Sequence, residues 1–193
     1  MITRKGILFV ISGPSGVGKG TVRSAVLPQV DDMQISISAT TRPPREGEID
    51  GQDYFFTTPA RFQQMIDNGE LLEWASVYGN LYGTPQKEIV EALEQSIDMF
   101  LDIDVNGAIK VKERHTDSCL IFVEPPSEEE LMNRLALRGE KEIALRMKRV
   151  HEEMEKKYLF QYSVINDKLE NAYRDFKEIV ETVRRRRYGK NHC

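Results

Sequence analysis

Ile7-Leu8-Phe9-Val10-Ile11-Ser12-Gly13-Pro14-Ser15-Gly16-Val17-Gly18-Lys19-Gly20-Thr21 is the stretch on which the fold turns. Ile7 to Ile11 run apolar without alternation, as a strand does when both of its faces are covered in a parallel sheet. The glycines that follow let the chain curl with its N–H groups inward. A helix expected from near Val22 adds its positive end, and Lys19 can reach the β- and γ-phosphates of a nucleotide. Gly13, Pro14, Ser15, Gly16, Val17, Gly18, Lys19, Gly20 and Thr21 are therefore the candidate ATP-binding residues. Gly20 departs from the strict pattern, which has a Ser or Thr there whose hydroxyl holds Mg²⁺; Thr21 comes one residue later. That departure bears on the metal more than on the nucleotide.

Outward from this stretch, Met99 to Ile103 and Cys119 to Val123 repeat the apolar run, and Gly107 to Arg114 between them reads as a helix. Strand, helix, strand implies a right-handed crossover and an α/β fold with a parallel core sheet flanked by helices. Val164-Ile165 adds a short strand, and Leu169 to Arg187 reads as a closing amphipathic helix. Thr58-Pro59 and Ser127 with Glu130 are helix-start signals. Between Ser36 and Tyr82 the pattern changes to short β-like pieces with turns, the mark of an inserted subdomain. Asp102 and Asp104 end an apolar strand, where open α/β sheets place ligand chemistry. Asp102 is the candidate metal residue, acting through water; the competing reading is that these acids cap the next helix.

The bulk numbers exclude several classes. The 193 residues suit one domain, and 40% apolar with 30% charged residues is an ordinary globular balance. A net charge of -4 gives no basic surplus for a nucleic-acid backbone. Arg184 to Arg187 read as a solvated helix end facing the negative end of the helix dipole. Two cysteines support neither a disulfide framework nor a metal cluster. No run approaches the roughly 20 apolar residues of a membrane span, so the expectation is a cytoplasmic protein with no membrane partner.

Ser38-Ala39-Thr40-Thr41-Arg42-Pro43-Pro44-Arg45, Glu46-Gly47-Glu48 and Asp53-Tyr54-Phe55-Phe56 carry a second signal. Two arginines around prolines make a stiff cationic corner able to grip a phosphate dianion, with a tyrosine hydroxyl as a further donor. Joined to the phosphate loop, Leu72-Glu73-Trp74-Ala75, Gly79-Asn80-Leu81-Tyr82-Gly83-Thr84 and Leu101-Asp102-Ile103-Asp104, this set closely resembles the guanylate kinases across nearly the whole chain.

The resemblance implies ATP-dependent phosphorylation of GMP to GDP, and of dGMP to dGDP, by direct in-line transfer with Mg²⁺. It matches Arg42, Arg45, Tyr54 and Tyr82 to the grip on the GMP phosphate, and Ser38, Glu73, Thr84 and Asp104 to the surroundings of guanine. Chemistry agrees for Glu73: one carboxylate can accept both N1–H and N2–H of guanine, whereas adenine lacks these donors. Such bonds contribute roughly 1.5 to 3 kcal/mol each, and a site built for them discriminates by about 10⁴. Leu131 to Gly139, with Arg146 and Arg149, resembles the family's arginine-bearing lid, with Arg134 and Arg146 as the candidate catalytic lid residues beside Lys19 and Arg42. The stretch from Gly139 to Asn166 is about three residues shorter than the family pattern, and Asn166-Asp167 matches a segment near the adenine end.

The implied organisation is a domain over 5–187, with core segments 5–35, 97–126 and 160–187. A monophosphate-binding insertion covers 36–96, a lid 127–159 and a tail 188–193. Two alternatives stay open at this point: a non-catalytic binding module of the same fold, and a related kinase with another phosphorylated acceptor.

Overall fold

The computed structural model describes residues 5–77, 79–137 and 143–189, with the backbone alone for 143–145. Arg138 and Gly139 of the lid motif and residues 190–193 of the tail lie outside them. In chain order the elements are β1 (Leu8–Ser12), α1 (Lys19–Val26), β2 (Met33–Ile35), β3 (Ala39–Thr40), β4 (Phe55–Phe56), α2 (Pro59–Asp67), β5 (Leu71–Val77) and β6 (Asn80–Pro85). They continue with α3 (Gln86–Glu94), β7 (Asp98–Asp102), α4 (Val105–Arg114), β8 (Cys119–Glu124), α5 (Glu128–Leu137), α6 (Ile143–Met154), β9 (Tyr162–Ile165) and α7 (Leu169–Tyr188).

A parallel sheet in the order β2-β7-β1-β8-β9 forms the centre, with Phe9 opposite Phe100 and Cys119. Successive β1 side chains point to opposite faces, and both faces are covered. Phe9 and Ile11 join Val22 and Val26 of α1 and Phe176 and Val180 of α7. Leu8 and Val10 join Ile89 of α3 and Ala108 and Val111 of α4. This two-sided burial is why the strand shows no polar alternation. α3, which falls inside the 36–96 segment, thus packs on the large sheet.

The inserted segment builds a second sheet, β4-β3-β6-β5, over a small core of Ala39, Phe62 and Leu71. α2 starts as its sequence indicates: the Thr58 hydroxyl accepts the Arg61 N–H at 3.2 Å. α5 is half of a capping box, since the Ser127 hydroxyl accepts the Glu130 N–H at 3.1 Å while the Glu130 carboxylate pairs with Arg134 at 2.9 Å.

α1 starts at Lys19, three residues before the expected Val22, because Gly18 adopts a left-handed φ of 95° and turns the loop directly into helix. The solvated-end reading of Arg184 to Arg187 agrees with the exposure of Arg185, Arg186 and Arg187 in the last turn of α7 and is corrected for Arg184. Arg184 Nε donates to the fully buried Asp98 at 2.8 Å, Arg186 reaches the Tyr162 hydroxyl at 2.9 Å, and Arg187 pairs with Asp117 at 2.9 Å. Asp98 also accepts the Ile7 N–H at 2.7 Å, and Arg184 donates to the Asp31 carbonyl at 2.8 Å. A buried carboxylate needs such a partner, so Arg184 fastens α7 to β7 and, through Asp98, to Ile7 ahead of β1. No helix among the described residues is long and apolar enough to cross a membrane.

Candidate active site

The loop after β1 curls at the carboxyl end of the large sheet. A β-carbon on Gly13 would stand 2.3 Å from the Val123 carbonyl oxygen, so no other residue fits there. Lys19 spans the curl, its ammonium donating to the Gly13 carbonyl at 2.8 Å. A β-carbon on Gly20 would meet nothing within 4 Å, so crowding is not what removes the hydroxyl from this position.

A cleft of about 830 Å³, its mouth included, opens between the loop and the small sheet. Gly13, Ser15 and Lys19 line one side, Asp102, Ile103 and Asp104 the floor, and Ser38, Tyr54, Glu73 and Tyr82 the other side. Arg149 and Glu153 of α6 complete it. Elements far apart in sequence thus bring nine of the twenty expected site residues to one space, whereas Arg42, Arg45, Arg134 and Arg146 are not among those lining it.

Glu73 is 3% exposed, and burial pushes its carboxyl up to about 7, opposed by the Thr84 hydroxyl that donates to it at 2.6 Å. Thr84 lies opposite Glu73 in the β5–β6 register, which sets that contact. Asp104 does act as a helix cap, accepting the N–H groups of Asn106 at 2.9 Å and Gly107 at 3.2 Å. Asp102 does not: burial raises its pKa, Lys19 and Arg23 pull it back, and Arg23 is 3.9 Å away.

Arg42 is held by its neighbours. It donates to Glu48 at 2.8 Å and to the Pro43 carbonyl at 2.7 Å, and lies 5.4 Å over the Tyr54 ring. The other Glu48 oxygen accepts the Arg45 N–H at 2.7 Å. The Arg42 side-chain hydrogen bond holds the Glu48 carboxyl below its ordinary value and raises the guanidinium in turn. Arg45 keeps an exposed side chain.

The lid arginines separate. Arg146 comes within 3.5 Å of the Ser15 hydroxyl at the loop. Arg134 lies behind the loop, donating to the Val17 and Asn166 carbonyls at 3.1 Å each, beside a second hollow that includes Gly16, Thr21, Leu137 and Asp167. The residue that sequence reasoning missed is Glu153, whose carboxylate accepts the Ser15 N–H at 3.3 Å. Its signal was the spacing: Arg146, Arg149 and Glu153 recur at three and four residues and share one helical face.

The guanylate kinase family profile matches residues 5–183. The chain belongs to the guanylate kinase family. It is 46% identical over 197 residues to the guanylate kinase of Oceanobacillus iheyensis, covering 100% of this chain and 96% of that protein. It is 48% identical over 180 residues to the guanylate kinase of Bacillus subtilis, covering 91% and 88%. The crystal structure of guanylate kinase from Anaplasma phagocytophilum superposes with a TM-score of 0.76 at 30% identity, covering all of this chain and 92% of that one. As a guanylate kinase the chain transfers a phosphoryl group from ATP to GMP, giving GDP.

Proposed function

We propose that the cleft carries out direct in-line transfer of the γ-phosphoryl group, with the donor on the phosphate loop and the acceptor on the small sheet. The observation that carries this reading is that Lys19 and the buried Glu73, an anion-seeking cation and a donor-seeking carboxylate, line one cleft from opposite sides. Gly13 to Thr21 hold the triphosphate, and Asn166 and Asp167 lie at the adenine end. Arg42, Arg45, Tyr54 and Tyr82 hold the acceptor phosphate, while Ser38, Glu73, Thr84 and Asp104 surround the base. Arg146 adds charge from the lid. Arg134 braces the loop from behind, since its guanidinium already serves two carbonyls there.

Phosphoryl transfer asks for little covalent chemistry from the protein, so catalysis is alignment plus cancellation of negative charge. Lys19 and the arginines supply fixed positive charge. A bound magnesium ion would neutralise further charge on the donor phosphates. The donor set suits an ion that arrives with the nucleotide: Asp102 would meet it through water, and among the described residues no cluster of three or more His, Cys, Asp and Glu could hold a metal directly. dGMP offers the same base and phosphate to these residues, and the reading extends to it as a second acceptor. The cytoplasm is the compartment that suits these substrates and the free thiol of Cys119.

The test is ADP formation from MgATP with GMP, AMP, CMP, UMP or dTMP, in the wild type, Lys19→Ala and Glu73→Ala. GMP-selective turnover that collapses in Lys19→Ala and loses base preference in Glu73→Ala is expected. Unchanged selectivity in Glu73→Ala would move base recognition elsewhere.

A further inference from the structure

β5 is the edge strand of the small sheet, and its outer side is met by a helix face. Gly107, Lys110 and Arg114 on α4 are spaced three and four apart and so share one face. Arg114 donates to the Leu72 carbonyl at 2.7 Å, and Lys110 donates to the Trp74 carbonyl at 2.9 Å. These carbonyls flank Glu73 on either side. Lys110 also stands 5.5 Å over the Trp74 ring, a cation–π contact that fixes the ammonium. The third member works by having no side chain: a β-carbon on Gly107 would lie 2.8 Å from Glu73 Oε2 and 3.3 Å from Asp104 Oδ2.

We propose that Gly107, Lys110 and Arg114 are specificity-determining positioning residues for guanine: the two cations clamp the backbone on both sides of Glu73, and the glycine leaves room for its carboxylate. This rests on the reading of Glu73 as the group that meets guanine N1–H and N2–H. An unsupported edge strand would let Glu73 shift by fractions of an ångström, and a carboxylate that must meet two donors at once tolerates little such movement. Charge works in the same direction. Lys110 and Arg114 favour the ionised form of Glu73, Asp104 opposes it, and the Thr84 hydroxyl donates to it. Both cations come from the same face, so backbone placement and ionisation of the base-reading group are set by one helix.

The experiment uses Lys110→Met, Arg114→Met, their double variant, Gly107→Ala, and the conservative Lys110→Arg and Arg114→Lys, with Glu73→Gln as the control. GMP is compared with IMP, which lacks the 2-amino group, and with AMP; KM for ATP and the pH profile of KM for GMP are recorded. The double variant is expected to raise KM for GMP about tenfold and reduce discrimination against IMP severalfold, with kcat and KM for ATP within about twofold of wild type. Its GMP profile should shift toward higher pH, and the conservative variants should restore it. Gly107→Ala, which keeps both cations, should lose discrimination without that shift of the pH profile. If Glu73→Gln abolishes GMP/IMP discrimination while the Met variants and Gly107→Ala keep it, the clamp is overturned and the reading of Glu73 stands. If Glu73→Gln itself keeps the discrimination, that reading fails and takes this inference with it.

Discussion

The main-chain N–H of Ser15, in the phosphate loop, points to the carboxylate of Glu153, 138 residues later on α6, at 3.3 Å. A carboxylate on a loop N–H uses a donor that an incoming phosphate also seeks, and its charge repels that phosphate. Glu153→Gln should therefore bind ATP more tightly, by about threefold to tenfold, with KM for GMP little changed. Burial raises the Glu153 pKa, so the carboxylate loses its charge sooner than an exposed one as pH falls, and the gap between wild type and variant should narrow. Isothermal titration with ATP at two pH values checks this; weaker binding by the variant would show that Glu153 supports the triphosphate.

Glu73 must be charged to accept two N–H donors, yet burial pushes its carboxyl up to about 7. Below that pH, GMP binding has to expel a proton, so KM for GMP should rise up to tenfold for each pH unit. KM for ATP should lack that limb.

The same carboxyl couples pH to stability. Its folded pKa, about 7, lies above the ordinary value of 4.5, so the folded state binds more protons between those values. The associated stability is fully present below the lower value and is lost as pH rises through 7. Glu73→Gln should therefore exceed wild type at pH 8 by up to about 3 kcal/mol, and the gap should close toward pH 5. Urea midpoints at the two pH values decide it; equal midpoints at pH 8 would mean that the buried carboxylate costs nothing.

Glu48 holds Arg42 through one oxygen and the Arg45 backbone through the other. Glu48→Gln weakens the charged bond while keeping the shape, and should raise KM for GMP by about fivefold to tenfold with kcat within about twofold. Steady-state kinetics with GMP and ATP varied separately would expose a different role through a change in KM for ATP.

Gly20→Ser adds the hydroxyl that the loop lacks, in open space at the first turn of α1. The melting temperature should stay within about 2 °C of wild type, and the Mg²⁺ concentration for half-maximal rate should fall. An unchanged Mg²⁺ requirement would show that a hydroxyl here does not meet the ion.

The core was readable because its signals are local. Ile7 to Thr21 places strand, curl and cation within fifteen residues, and the covered faces of β1 account for the apolar run. Early helix onset at Lys19 was hidden, because it depends on the φ of Gly18, whose room is set by Asn166 beyond it. The partners of Arg134 and Arg184 were equally out of reach: Val17 and Asp98 are 117 and 86 residues away, and a charged residue looks the same in sequence whether it faces solvent or a buried acceptor. Glu73 was legible only through its accompanying motifs, whereas its raised pKa follows from burial that three dimensions create.

Asp98 joins the residue before the first strand to the last helix, through Ile7 and Arg184. On a ribosome Ile7 emerges well before Arg184. Until Arg184 has emerged, a carboxylate destined for complete burial lacks this cation, and removing one partner of a buried pair costs about 3 to 5 kcal/mol. A shortened chain that stops before α7 would leave Asp98 buried without that guanidinium, so one ion pair ties the stability of the central sheet to the presence of the helix that covers it.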